Sequence, residues 1–122
     1  MDVVKLCSEM VKIKTENPPG DTRDCAEFVG DYLESIGIPV SYTYGPDGRT
    51  NVYSRDQTGT LLLLGHMDVV PAIPDGWDHP PYSGFVDETY VHGRGSADMK
   101  GGCAALLSAL SAVQDKGLDV PV

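Results

Sequence analysis

Two short segments concentrate the residues able to do chemistry. In Leu61-Leu62-Leu63-Leu64-Gly65-His66-Met67-Asp68, an imidazole and a carboxylate follow an apolar run. Side chains two residues apart in an extended segment lie on one face, so Asp68 can reach the His66 ring. One ring nitrogen can then bind a metal while the other donates to Asp68, a relay that fixes tautomer and ring orientation. The bland alternative is a capped strand end with a hydrogen-bonded surface histidine, and the triplet alone does not separate the two. Further along, Gly93-Arg94-Gly95-Ser96-Ala97-Asp98-Met99-Lys100-Gly101-Gly102 leads into an apolar periodic stretch. Its glycines let the backbone turn tightly and approach a ligand. As a phosphate cradle the run misses both the Walker pattern and the dinucleotide fingerprint, and a carboxylate aimed into the site would repel phosphate. Asp98 as a metal ligand is the better reading, because histidine nitrogen and aspartate oxygen suit zinc.

Weaker candidates surround these. His79, in Trp77-Asp78-His79-Pro80-Pro81, and His92 could line a substrate entrance, but solvated or hydrogen-bonded loop histidines are the ordinary expectation and neither is assigned as a ligand. Arg94, the only long side chain of its glycine turn, could pair with Asp98 or Asp68, and it reads as structural rather than substrate-binding. Lys100, at the start of the third helix, is expected to face solvent. Cys7, Cys25 and Cys103 have no paired spacing, which fits reduced thiols packed as small apolar residues in a cytoplasmic protein.

The elements that must position these groups follow from periodicity and turn chemistry. Val3, Leu6, Cys7, Met10, Val11 and Ile13 recur at helical spacing, and Asn17-Pro18-Pro19-Gly20 stops the pattern. Asp21 or Thr22 can cap a second helix that turns Ala26, Phe28, Val29, Leu33 and Ile36 inward and ends at Gly37. Val40, Tyr42 and Tyr44 alternate with smaller polar residues; Gly45-Pro46-Asp47-Gly48 is a turn, and Asn51 to Ser54 a return strand. Thr60 to Leu64 reads as a central strand covered on both faces, which would put His66 and Asp68 past its carboxyl end, where open α/β sheets place ligands. Pro71 to Gly95 is a long segment rich in proline and aromatics with one short hairpin through Phe85 to His92. A loop of that length is functional or disordered, and the aromatics favour function. A third helix is predicted from Lys100 to Lys116 with Gly117 as its cap, and Leu118 to Val122 begins a strand. Strands interleaved with helices imply an α/β sandwich.

Composition narrows the partners. Across 122 residues, 9 lysines and arginines oppose 18 aspartates and glutamates for a formal net charge of -9, and the cations are scattered. That excludes nucleic acid and disfavours an anionic membrane surface. Asp2, Lys5, Glu9, Lys12 and Lys14 interrupt the amino terminus, so no signal peptide is expected. Leu61 to Leu64 is too short to span a bilayer. The length suits one domain.

Taken together, Asn17-Pro18-Pro19-Gly20, Leu62 through Gly65-His66-Met67-Asp68-Val69-Val70-Pro71, the Trp77 to Gly84 loop and the Gly93 to Gly102 run closely resemble a family of zinc-dependent amidohydrolases and peptidases. That family includes acetylornithine deacetylase, succinyl-diaminopimelate desuccinylase, aminoacylase and glutamate carboxypeptidase. The resemblance spans the whole chain. It implies an α/β three-layer sandwich with a mixed, largely parallel sheet flanked by helices, truncated before the sheet is complete. Residues 1–122 would be the amino-terminal part of the catalytic domain, without the inserted dimerisation domain or the carboxyl-terminal half. The resemblance further implies two zinc ions, with cobalt or manganese as alternatives. His66 would bind one zinc, Asp98 would bridge both, and Asp68 would be the catalytic residue that orients His66. A bridging water would attack the amide of an N-acyl amino acid or a small peptide. The family's paired glutamates, one of them the general base, and its carboxyl-terminal histidine ligand have no counterpart here. The chain alone is therefore expected to be inactive. The alternative is a catalytically inactive fragment or a binding module of the same fold. The full protein is expected to be cytoplasmic and homodimeric; which substrate it takes is left open.

Overall fold

A computed structural model describes residues 1–59 and 61–117. Helix α1 (Val3–Lys12) begins where the Asp2 carboxylate accepts from the Lys5 amide at 2.8 Å, and it buries Leu6, Cys7, Met10 and Val11 along one stripe. Helix α2 (Arg23–Ser35) starts at Thr22, but the Thr22 hydroxyl does not cap it. That hydroxyl donates to the Thr50 carbonyl at 2.8 Å and accepts from the Thr50 amide at 2.9 Å, tying the helix start to the sheet. Asp21 instead accepts from the Arg23 amide at 3.2 Å. The helix ends as expected at Gly37, whose φ of 86° permits the paired bonds Gly37 N–H to Glu34 O (3.0 Å) and Ile38 N–H to Leu33 O (2.9 Å).

Strands β1 (Val40–Tyr44) and β2 (Thr50–Ser54) form an antiparallel hairpin in which Tyr42 faces Val52. The return strand starts one residue before the expected Asn51. Helix α3 (Gly101–Lys116) is preceded by a single wide turn, Ser96–Lys100, closed by Lys100 N–H to Gly95 O at 2.8 Å. The core lies among the three helices and the hairpin, with Leu6, Met10 and Val11 meeting Cys25, Val29, Leu33, Val40, Ala104 and Leu107. The predicted hairpin through Phe85 to His92 is present, paired at Val86 and Val91 with a bond from His92 N–H to Phe85 O at 2.7 Å. All three cysteines are buried and free.

Two expectations change. Thr60 to Leu64 is not a covered central strand over its described residues, since Leu62 and Leu64 are 80% and 78% exposed. A run apolar on both faces becomes a strand only when neighbours complete its hydrogen-bond ladder. Among the described residues no backbone bond reaches 61–64, and the sheet consists of the hairpin alone. The parallel pairing seen among these residues is the isolated bridge between Glu16 and Val69. Lys100, expected in solvent, is fully buried, and its ammonium donates to the Ile13 carbonyl at 2.6 Å. The expected strand from Leu118 lies outside the described residues. Among those residues no helix is long and apolar enough to cross a membrane.

Candidate metal-binding cleft

The segment carrying His66 and Asp68 is held by the chain leaving α1. Val69 N–H bonds Thr15 O (3.0 Å), Asn17 N–H bonds Val69 O (2.8 Å), and the Thr15 hydroxyl donates to Met67 O (2.7 Å). The two candidate residues are thus set by this short parallel contact and not by the end of a laddered strand. From α3, the Cys103 thiol donates to the His66 carbonyl at 3.4 Å.

A chain of contacts then fixes the imidazole. Asn17 Nδ2 donates to Asp68 Oδ2 at 3.0 Å, and Asp68 Oδ1 lies 3.2 Å from His66 Nδ1, which also meets the Asp68 carbonyl at 3.1 Å. At the other edge, His66 Nε2 meets Asp98 Oδ1 at 2.9 Å. Partial burial of the ring works against its charge, but the Asp68 carbonyl and the Asp98 and Asp68 carboxylates outweigh it and hold the pKa above its ordinary value.

Asp98 is brought in by the wide turn before α3. Gly95 there has φ of 87°, and a Cβ on it would run into Val69, so the turn packs directly on the segment that bears His66. The buried Lys100 secures the other end of the turn to Ile13. The three residues border a cleft of about 250 Å³ together with Asn17, Arg94 and Ser96. A larger cleft of about 450 Å³ lies between α2, β2 and α3, where Leu61 to Leu64 and Leu107 make it apolar.

An imidazole nitrogen and a carboxylate oxygen converging at 2.9 Å, with the second ring nitrogen held by another carboxylate, fit a zinc ligand pair with its orienting partner. Among the described residues no group of three or more His, Cys, Asp or Glu side chains is placed to hold a metal ion.

The remaining candidates go elsewhere. His79 stacks on Phe85 with centroids 3.9 Å apart, and His92 packs edge-on against His79. His92 Nε2 meets Asp87 Oδ2 at 2.6 Å, and that contact with the Thr89 and Tyr90 amides pulls the Asp87 carboxyl down to about 2. Arg94 pairs with neither Asp98 nor Asp68; its guanidinium lies 5.3 Å over the Trp77 ring. Sequence reasoning missed Thr15, Glu16 and Asn17. Glu16 accepts from the Tyr82 hydroxyl at 2.7 Å and the Ala72 amide at 3.3 Å, which anchors the long loop. Their signal was three polar residues between a helix and Pro18-Pro19, a position that otherwise marks only a helix stop.

Known proteins resemble the chain in sequence and in fold. The profile of peptidase family M20/M25/M40 matches residues 62–122. A succinyl-diaminopimelate desuccinylase of Pseudoalteromonas translucida is 34% identical over 111 residues, spanning 88% of this chain and 29% of that protein. One from Methylobacterium nodulans is 42% identical over 98 residues, 77% of this chain and 25% of that protein. The crystal structure of the M20 family metallo-carboxypeptidase Sso-CP2 from Sulfolobus solfataricus superposes with a TM-score of 0.78 at 26% identity, covering 96% of this chain and 28% of that one. Human carnosine dipeptidase 1 superposes at 0.76 and 27% identity, covering 98% and 30%. The chain therefore spans less than a third of the length of these relatives.

Proposed function

We propose, because the chain belongs to peptidase family M20/M25/M40, that it supplies part of the catalytic domain of a metal-dependent hydrolase. Its bond would be the amide of an N-acyl amino acid, as the desuccinylase relatives suggest, or of a small peptide, as the carboxypeptidase and dipeptidase neighbours suggest. The observation that carries this reading is the His66 ring gripped at both nitrogens, by Asp68 on one edge and Asp98 on the other.

In the full protein, residues 1–122 would form the amino-terminal part of a three-layer sandwich whose largely parallel sheet includes Leu61 to Leu64. The domain would sit in a cytoplasmic homodimer. His66 Nε2 and Asp98 would hold zinc, with Asp98 bridging to a second ion. With a metal held at Nε2, Asn17 would orient Asp68, and Asp68 would accept the Nδ1 proton of His66 and leave the Nε2 lone pair for the ion. When bound, two zinc ions would polarise the substrate carbonyl and acidify a water. No glutamate borders the cleft to act as general base among the described residues, so the 122-residue chain alone should not turn over substrate.

Calorimetric titration of the chain with zinc tests the assignment. Binding should be lost in His66→Ala and in Asp98→Ala and kept in His79→Ala. Zinc uptake unchanged in the first two variants would overturn it, and release of acetate from N-acetyl amino acids by the zinc-loaded chain would overturn its inactivity.

A further inference from the structure

Residues 13–17, the stretch of chain that leaves α1, hold both halves of the metal cleft. On one side Thr15 and Asn17 fix the segment that carries His66: Val69 N–H bonds Thr15 O at 3.0 Å, the Thr15 hydroxyl donates to Met67 O at 2.7 Å, and Asn17 Nδ2 donates to Asp68 Oδ2 at 3.0 Å. On the other side the Lys100 ammonium donates to Ile13 O at 2.6 Å. Lys100 closes the wide turn Ser96–Lys100, where its own N–H bonds Gly95 O at 2.8 Å. Asp98 lies inside that turn at φ -126° and ψ 98°, followed by Met99 at φ -133° and ψ 31°, so the helical conformation of α3 does not reach it. The turn is held instead at its two ends, by Gly95 packed on Val69 and by the Lys100 side chain on Ile13.

A fully buried ammonium is costly to keep, and a methionine of nearly the same volume would fill its space. What the ammonium adds is a side chain of fixed length ending on one carbonyl, which constrains position. We infer that Lys100 is a positioning residue: through Ile13 O it ties the turn that carries Asp98 to the stretch that holds His66, and so sets the 2.9 Å approach of the two candidate ligands. Its ammonium contributes to metal affinity and little to stability. Charge alone would act in the other direction, because removing a cation from the neighbourhood of a metal ion lets the ion bind more tightly. Positioning and repulsion are therefore separated by the sign of the change. The role of Lys100 toward the metal rests on the hydrolase reading above, whereas the His66–Asp98 contact that it sets forms without the ion.

The test compares the parent chain with Lys100→Met and with Val29→Ala, a core truncation on α2 that serves as the control for a merely structural loss. Zinc affinity, read by calorimetry, should fall about tenfold or more in Lys100→Met and stay at the parent value in Val29→Ala, with both variants folded by circular dichroism. In the metal-free chains the Nε2–H resonance of His66, moved downfield by Asp98 in the parent, should hold its position in Val29→Ala and lose that shift in Lys100→Met. Zinc affinity unchanged or raised in Lys100→Met, or lowered as much in Val29→Ala, overturns the positioning role. A downfield resonance that persists in Lys100→Met, or is missing from the parent, overturns it as well. A Lys100→Met chain that does not fold assigns the ammonium to stability and has the same consequence. One measurement needs no variant: zinc should slow hydrogen exchange of the Lys100 ammonium in the parent, since a contact that favours the metal is favoured by it to the same extent, and unchanged exchange overturns the role. A parent that takes no zinc while its His66 resonance still depends on Lys100 retains the positioning of Asp98 and loses the hydrolase reading; equal zinc uptake by the parent and Lys100→Met removes the positioning role alone.

Discussion

Replacing Lys100 with alanine should destabilise the fold by about 3 kcal/mol, whereas methionine should cost less than about 1 kcal/mol. The side chain is fully buried, and its ammonium donates to Ile13 O at 2.6 Å. Truncation to alanine removes about three buried methylenes, worth about 0.8 kcal/mol each, or about 2.4 kcal/mol together. The Ile13 carbonyl also loses its donor, at a cost of about 1 kcal/mol or more. Removing a buried ammonium that has no carboxylate partner among the described residues offsets part of that loss. The net of about 3 kcal/mol is a large share of the roughly 5–15 kcal/mol that holds an ordinary domain together. Methionine fills nearly the same volume and relieves the buried charge, so only the hydrogen bond remains on the debit side. Urea denaturation followed by far-ultraviolet circular dichroism measures both, compared as midpoints at a common slope. An alanine variant within about 1 kcal/mol of the parent would refute the burial of this side chain. A methionine variant as damaged as alanine would refute the packing argument and shift the weight to the hydrogen bond.

Other outcomes follow from the same contacts. Burial pushes the Cys25 thiol from 9.0 up to about 11. The unfolded thiol ionises first, so stability present below pH 9 should fall between about pH 9 and pH 11 by up to about 3 kcal/mol. The pH profile of the parent minus that of Cys25→Ala isolates this contribution, and a flat difference would contradict it. His92→Ala should raise the Asp87 carboxyl from about 2 toward its ordinary value of 3.8 in an NMR titration, because the imidazole contact is the main cause of its depression; an unmoved midpoint would assign the shift to the Thr89 and Tyr90 amides instead. Gly93→Ala should cost about 3 kcal/mol, since φ is +148° and the new Cβ would meet Val11 and the Pro81 carbonyl. Gly76→Ala, at φ +82° with nothing within 4 Å, should cost only about 1 kcal/mol in the same denaturation assay, and equal losses at the two positions would show that backbone conformation alone sets the cost.

What could be read from the residues was what depends on near neighbours. The periodicities of α1, α2 and α3, the caps at Gly37 and Gly117, and the turn between β1 and β2 are all settled within a few residues, where sterics and local hydrogen bonds act. The His66 and Asp68 contact was legible for the same reason, since a spacing of two puts both side chains on one face. Tertiary structure decided everything that needs a distant partner. Asp98 reaches His66 across 32 residues only because α3 and its wide turn pack on α1 and on Val69. Asn17 became the clamp on Asp68, Arg94 turned to Trp77, and Lys100 went inward because packing, not spacing, set what lay within reach. Leu61 to Leu64 shows the limit most plainly. Its apolar character is a property of the sequence, but a strand exists only where other backbone offers a ladder, and no local pattern specifies that partner.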